Sequence, residues 1–262
     1  MHLKWPTLLV AGLAAASTAA AQDVEDWDID RDPDRRQVTA SVFFSDGAGV
    51  ATRCSGRSFA VLLAGLPPAP DDGDFMRSLS IDMGQGRHRQ SWLRGETPTT
   101  AFSLMPARFA RELRDGGRMQ IYDASADGSD TPLIVIDVPP SPQAIDQTLE
   151  ACGLAADDPR DDGRDWVVTS SPAPLRWRFQ PRADPPDRAL SGRLLRGLVV
   201  MSCVAQVDGR IRDCQVEMEH PTGFDLGREA LRATRDARVE TSDGSVIAPR
   251  IITFRMMYEV RR

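Results

Sequence analysis

The stretch Gly197 to Leu226, GLVVMSCVAQVDGRIRDCQVEMEHPTGFDL, constrains the fold more than any other part of the chain. Asp208-Gly209 sits between two alternating apolar runs, and glycine supplies the positive φ that a tight hairpin turn needs. With these two as the turn residues, Val207 faces Arg210. Counting outward sets Cys203 opposite Cys214, Met201 opposite Val216 and Val199 opposite Met218. One face of the hairpin is then apolar throughout and carries both thiols, whereas a one-residue slip would set Asp213 or Gln215 against Cys203. Directly opposite antiparallel residues have Cα atoms about 4.5 to 5.5 Å apart, within reach of a disulfide. Two buried free thiols are the other reading, and it requires a reducing compartment.

The N-terminus bears on the compartment. Lys4 precedes an apolar run from Leu8 to Ala16, and the small residues Ala19-Ala20-Ala21 stand before the polar Gln22-Asp23. This is the layout of a secretory signal peptide over residues 1–21, cleaved after Ala21. A membrane span needs about 20 apolar residues, and this run is shorter and rich in Ala. The alternative is an uncleaved inner-membrane anchor formed by residues 1–21. Export means an oxidising compartment, the periplasm, where four cysteines are most simply two disulfides. Once Cys203 is paired with Cys214, Cys54 and Cys152 are left for each other, one of three possible connectivities.

The formal charge is −6, and loss of Lys4 with the leader takes it to −7; Lys4 is the chain's only lysine. An acidic chain without a basic block argues against nucleic acid or an anionic membrane surface as partner.

The organisation expected is α+β in two units. Residues 23–153 read as a β-rich exported domain. Strand runs begin at Gln37, Gly49 and Ser58, then follow at Leu79 to Met83, His88 to Leu93 and Thr99 to Leu104, with two more in MQIYDAS and TPLIVIDV. MPARFARELRDGG reads as a short helix entered through Pro106 and ended by Gly116-Gly117. SPQAIDQTLEACG is a closing helix with Ser141 as cap, Pro142 in the first turn and Gly153 at the C-terminal cap. Ile145, Leu149 and Cys152 fall on one face, which turns Cys152 toward the core. Residues 154–187, rich in Pro, Asp and Arg, read as a linker; its Trp166 and Trp177 suggest that part of it docks on a domain.

Residues 188–262 form the second unit, in the order strand, strand, helix, strand. Thr222 and Asp225 have capping-box spacing, Leu226, Ala230 and Ala233-Thr234 make an apolar stripe, and Gly227 weakens the helix. After a second turn at Asp243-Gly244 comes the longest strand. Ile252, Phe254, Met256, Tyr258 and Val260 share one face, and Ile251, Thr253, Arg255, Met257 and Glu259 the other.

The Val199 to Val216 hairpin around its DG turn, Phe224-Asp225 with Ala230-Leu231 and Ala233, and the strand from Asp243-Gly244 through Val260 together resemble the TonB C-terminal domain family. The cysteine pair bracketing the hairpin is similar to that of an exported sub-group. One departure is ARVETS, Ala237 to Ser242, in place of the aromatic and Pro stretch usual after the helix. The resemblance implies a small ββαβ TonB-like domain that grips an envelope protein, such as an outer-membrane receptor segment, by adding it as a strand. On that reading Ile251, Thr253, Arg255, Met257 and Glu259 are the partner-binding strand residues. The alternative is an edge self-paired in a homodimer or simply solvated. The family's energy transducers are anchored in the inner membrane, so a cleaved leader favours a periplasmic binding protein over a motor.

No catalytic, cofactor-binding or metal-binding residue is assigned. Beyond the leader only His88 and His220 occur, and the chain has no P-loop, nucleophile elbow, C-x-x-C or H-E-x-x-H. A third expectation, an envelope hydrolase using carboxylates of residues 23–153, would need two acidic side chains in one cleft of that unit.

Overall fold

The computed structural model describes residues 27–70, 74–124, 130–187, 189 and 196–259. The expected signal peptide, residues 1–21, and Val260 lie outside these residues. The architecture is α+β and strand-rich, with every strand pairing antiparallel.

The first unit is built on β1 (Asp28–Asp32), β2 (Gln37–Phe43), β3 (Gly49–Ser55), β4 (Ser58–Ala64), β5 (Met76–Asp82), β6 (Arg87–Arg94), β7 (Ala101–Ser103), β8 (Gly117–Asp123) and β9 (Ile134–Val138). These join in one sheet in the order β1-β2-β3-β4-β7-β6-β5-β8-β9. Period-2 patterning does the work here: Phe59, Val61 and Leu63 of β4 and Leu79 and Ile81 of β5 turn into the core while their neighbours stay half-exposed. The helix α1 (Pro106–Leu113) begins with Pro at its first turn, and Gly116 and Gly117 beyond its end adopt positive φ. The helix α2 (Pro142–Ala151) closes the unit. It buries Ile145 and Leu149, and the hydroxyls of Thr148 and Thr52 on β3 share a buried hydrogen bond of 2.9 Å. Ser141 makes no side-chain cap. At the helix end Cys152 is bridged to Cys54 on β3, with Cα atoms 5.5 Å apart.

The second unit contains β11 (Arg196–Ala205), β12 (Ile211–His220), the helix α3 (Leu226–Ala233), β13 (Arg238–Glu240) and β14 (Arg250–Glu259), with sheet order β12-β11-β14. Cys203 and Cys214 are bridged, Cα atoms 4.1 Å apart, but the hairpin departs from the simple register in two ways. Gly209 N–H donates to Gln206 O and Gln206 N–H to Arg210 O, so the loop has three residues, Val207 to Gly209, rather than two. The register then shifts twice. Opposite Cys203, Asp213 is the extra residue and takes a φ of 49°. Between the pairs Met201↔Val216 and Val200↔Met218, Glu217 is extra. Val199 therefore faces Glu219, not Met218.

The second bulge has a structural result. Val216 packs with Val199, Met201 and Cys203 against the α3 side, whereas Met218 packs with Leu198 and Val200 on the opposite face. In an unbulged strand Val216 and Met218 would share a face. The opposite face is an interface: Leu198, Val200 and Met218 meet Leu93, Leu104 and Met105 of the first unit, with Val168 between.

The expected capping box at Thr222 is absent. Asp225 takes φ 62° and caps nothing with its side chain; instead Glu219, on β12, accepts the Gly227 N–H at 3.0 Å. Gly227 is needed for that approach, since a Cβ there would lie 2.8 Å from Glu219 Oε2 and 3.2 Å from Val216 Cγ2.

Residues 154–187 run along both units. Arg111 of α1 and Arg114 just beyond its end hold the carbonyls of Ala155 and Ala156, a 3-10 turn forms at Asp161–Gly163, and the Trp166 ring meets Phe109 in a T-shaped contact and lies under Arg108. Further on, β10 (Arg176–Phe179) pairs with β13, and this pairing is what the ARVETS stretch forms.

Candidate functional site

The five residues expected to bind a partner lie on β14, which pairs with β11 over ten consecutive residues, Arg196↔Glu259 to Ala205↔Arg250, without a bulge. In an antiparallel ladder alternate residues turn both backbone polar groups to the same side. Arg255 N–H points away from β11 and donates to Thr169 O at 2.9 Å. By that alternation Ile251, Thr253, Met257 and Glu259 also turn their backbone groups outward, while Ile252, Phe254, Met256 and Tyr258 bond to β11. Tyr258 adds an anchor to α3: its hydroxyl, whose proton is held more tightly through burial and then through Glu229 and Glu219, donates to Leu226 O at 3.0 Å.

The side chains of the five fare differently. Ile251 is half-buried under the 3-10 turn, where a Cβ on Gly163 would lie 3.1 Å from Ile251 Cδ1. Thr253 is buried and its hydroxyl has no hydrogen-bond partner. Arg255 is half-buried, and Met257 and Glu259 are exposed. The edge is thus strapped by the chain itself at Thr169 and open at Met257–Glu259. A cavity of about 290 Å³ flanks the open part, walled by Trp177, Pro181 and Arg182 on one side and by Arg255 and Met257 on the other. Among the described residues no other strand pairs with this edge.

The other edge of the sheet, β12, differs. Its two bulges break the row of outward groups, the arrangement by which natural sheets blunt an edge against further pairing. A cavity of about 850 Å³ runs along it, between the Ser55 to Phe59 turn and α3.

An ion cluster holds the strap in place. The Arg164 side chain is 1% exposed and lies with Nε 3.1 Å from Glu217 Oε1 and Nη2 2.9 Å from Asp158 Oδ2; Nη1 also pairs with Asp161. Arg111 reaches Asp161 at 2.9 Å, and Arg160 donates to Ser202, which in turn donates to Glu217. Burial disfavours the charge on Arg164, but Glu217, Asp158 and Asp161 outweigh it and its proton is held more tightly than usual. Burial pushes the Glu217 carboxyl above its ordinary range, with Arg164, Ser202 and Arg160 opposing. The Glu217 bulge delivers that carboxylate to the interface side. Neither residue was singled out in the sequence, where Glu217 reads as a polar strand position and Arg164 as one of several linker arginines.

In the first unit, a cavity of about 460 Å³ beside α1 is lined by Glu112, Asp115 and His88. The Glu112 carboxyl is raised to about 7, by burial first and then by Asp161, against the opposing Arg108. His220, at the end of β12, is lowered by burial, with Glu96 opposing. Among the described residues no three His, Cys, Asp or Glu side chains gather as a metal would need, no cysteine is free, and no helix is long and apolar enough to cross a membrane.

No protein-family model matches the chain, and no curated protein matches it. Among solved structures it is similar to the C-terminal domain of TonB from Pseudomonas aeruginosa, a solution NMR structure. The two are 28% identical with a TM-score of 0.25, over 34% of this chain and 88% of that one.

Proposed function

We propose that this chain is an exported, non-enzymatic periplasmic protein whose second unit binds an envelope protein by taking up an extended segment of it along β14. The observation that carries the reading is the unbulged β14 edge, strapped at Thr169 and open at Met257–Glu259. An incoming strand seats first on the open end and then replaces Thr169 as acceptor of the Arg255 N–H. Main-chain bonds supply affinity, and the outward side chains at Met257 and Glu259 supply selectivity. The TonB-like motifs around Asp208-Gly209, Phe224-Asp225 and Asp243-Gly244 support the same mode of binding, and the two disulfides are compatible with export.

The test is a photoreactive residue at Glu259 of the full chain in whole cells. The expected result is an adduct with a discrete envelope protein, absent when Met257→Pro is added and retained with the exposed-turn change Val207→Ser. An adduct of unchanged yield in the Met257→Pro chain would overturn strand addition.

A second reading rests on Glu112, whose carboxyl is raised by burial to about 7 in a cavity shared with Asp115. On this reading the first unit hydrolyses an envelope bond by acid–base chemistry. Loss of a hydrolytic activity on Glu112→Gln would support it; a chain without measurable hydrolysis of cell-wall or ester substrates would remove it.

A further inference from the structure

Met257 carries a chemistry that strand pairing does not use. Every methionine of the chain except Met1 lies among the described residues. Met105, Met119, Met201, Met218 and Met256 are buried and Met76 and Met83 half-buried, whereas Met257 is 39% exposed. The strand itself sets this contrast. Met256 belongs to the core of the second unit, and Met257, one residue on, turns to the opposite face.

A thioether within reach of solvent is open to oxidation by hydrogen peroxide. The sulfur lone pair attacks one peroxide oxygen and the O–O bond breaks. That oxygen stays on sulfur, its proton passes to the departing oxygen, and the latter leaves as water. Sulfur is oxidised by two electrons and the peroxide is reduced by two. The product is a polar, chiral sulfoxide in place of a flexible apolar side chain.

The surroundings of Met257 suit that product. Its side chain walls the cavity of about 290 Å³ beside the open part of β14, which Trp177, Arg182 and Arg255 also line. A thioether sulfur is a weak hydrogen-bond acceptor, and a sulfoxide oxygen is a strong one. Arg255 Nε is buried and has no hydrogen-bond partner, Arg182 is exposed, and among the described residues no carboxylate lines the cavity to claim their N–H groups. One added oxygen, smaller than a water with its share of about 30 Å³, fits the space.

We propose that Met257 is a site of reversible oxidation by hydroperoxides, its sulfoxide oxygen turned into this cavity and held by Arg182 and Arg255. This assignment stands without strand addition; what it does to a partner rests on that reading. There the sulfoxide replaces the apolar side chain that an incoming strand meets at the open end, and weakens its binding until the sulfur is reduced again.

The test begins with a time course of the folded full chain in hydrogen peroxide at pH 7, read by peptide mass spectrometry, with nitrogen-15 NMR spectra before and after. Met257 should oxidise about tenfold faster than its neighbour Met256 and ahead of Met76 and Met83. The Trp177 Nε1–H and Arg255 Nε–H signals should shift on oxidation. Methionine sulfoxide reductase should then restore Met257 about threefold faster in an Arg182→Gln chain than in the native one, because fewer donors hold the oxygen. Oxidation of Met76 or Met83 ahead of Met257, a sulfoxide that leaves both signals unmoved, or equal reduction with and without Arg182 would each overturn the assignment. Peroxide should also cut the Glu259 photoadduct of the native chain about fivefold, while the adduct of a Met257→Leu chain, whatever its starting yield, should not respond. A native chain that forms no adduct before peroxide removes strand addition and leaves the site to the first measurements; an adduct that forms and ignores peroxide overturns the effect on the partner.

Discussion

Arg164 Nε lies 3.1 Å from Glu217 Oε1, joining the strap to the bulged strand of the second unit with side chains 1% and 6% exposed. A buried pair of this kind contributes little net stability relative to apolar residues of the same shape. Removing one partner, however, strands the other charge. Arg164→Leu is therefore expected to cost about 3–5 kcal/mol in urea unfolding at pH 8. The loss should shrink toward pH 5. Burial already raises Glu217, and without Arg164 it rises further; a carboxyl raised in the folded state destabilises as pH climbs from its unfolded value through its folded one. A loss independent of pH would mean that Glu217 does not carry the penalty.

Proline at neighbouring positions of β14 should separate edge function from folding. Met257 turns its N–H outward, so Met257→Pro removes an edge donor but no ladder bond, and the second unit should remain folded by circular dichroism. Met256 faces Val199 within the ladder, and Met256→Pro is expected to cost about 3 kcal/mol or more. Equal destabilisation by the two would show that the outward assignment is wrong.

Weakening the strap should help a partner. Val168 is fully buried between the two units, and Val168→Ala removes about two methyl-sized groups, worth about 2 kcal/mol with the cavity left behind. Freed strap and bound partner compete for the same Arg255 N–H, so partner affinity should rise by about two- to tenfold. An unchanged affinity would mean that Thr169 never has to leave.

The two disulfides should differ in worth. They close loops with sequence separations of 98 and 11 residues. Chain entropy assigns about 4.7 and about 2.8 kcal/mol to loops of these lengths. Replacing Cys54 and Cys152 together by Ala should lower the melting temperature more than replacing Cys203 and Cys214. The reverse order would show that the hairpin disulfide acts through the folded state.

Glu112 gives a second pH signature. Its carboxyl is raised from 4.5 to about 7 in the folded protein, so its contribution is present below pH 4.5 and is lost as pH rises through 7. The side chain is 38% exposed, which screens part of the effect. Glu112→Gln should flatten the fall in melting temperature between pH 5 and pH 8, and an unaltered slope would assign that fall to other groups.

The sequence carries the elements and the cysteine pairing well, because both depend on local spacing. Asp208-Gly209 marks the hairpin, and the i, i+4, i+7 spacing of Ile145, Leu149 and Cys152 turns the last toward Cys54. The alternation of Ile252, Phe254 and Met256 likewise marks the β14 face that enters the core of the second unit. What it does not carry are relations across the whole chain. QVEMEH alternates without a break, so nothing local announces the extra residue at Glu217. Thr253 is buried although it alternates with Ile252 and Phe254 on the polar face of the strand, and the Pro- and Arg-rich run reads as linker because its apolar residues, Trp166, Val168 and Leu175, are too sparse to show a period.

The Glu217 bulge makes the join between the two units a matter of residue count as well as residue identity. Deleting this single position would leave the pairs Met201↔Val216 and Val200↔Met218 in place, with Met218 still facing the first unit, but would take away the carboxylate that Arg164 meets across the join. The extra residue thus adds a charge to the join without displacing its apolar contacts, so a one-residue shortening there would leave an oily seam with the buried arginine of the strap facing no carboxylate from β12.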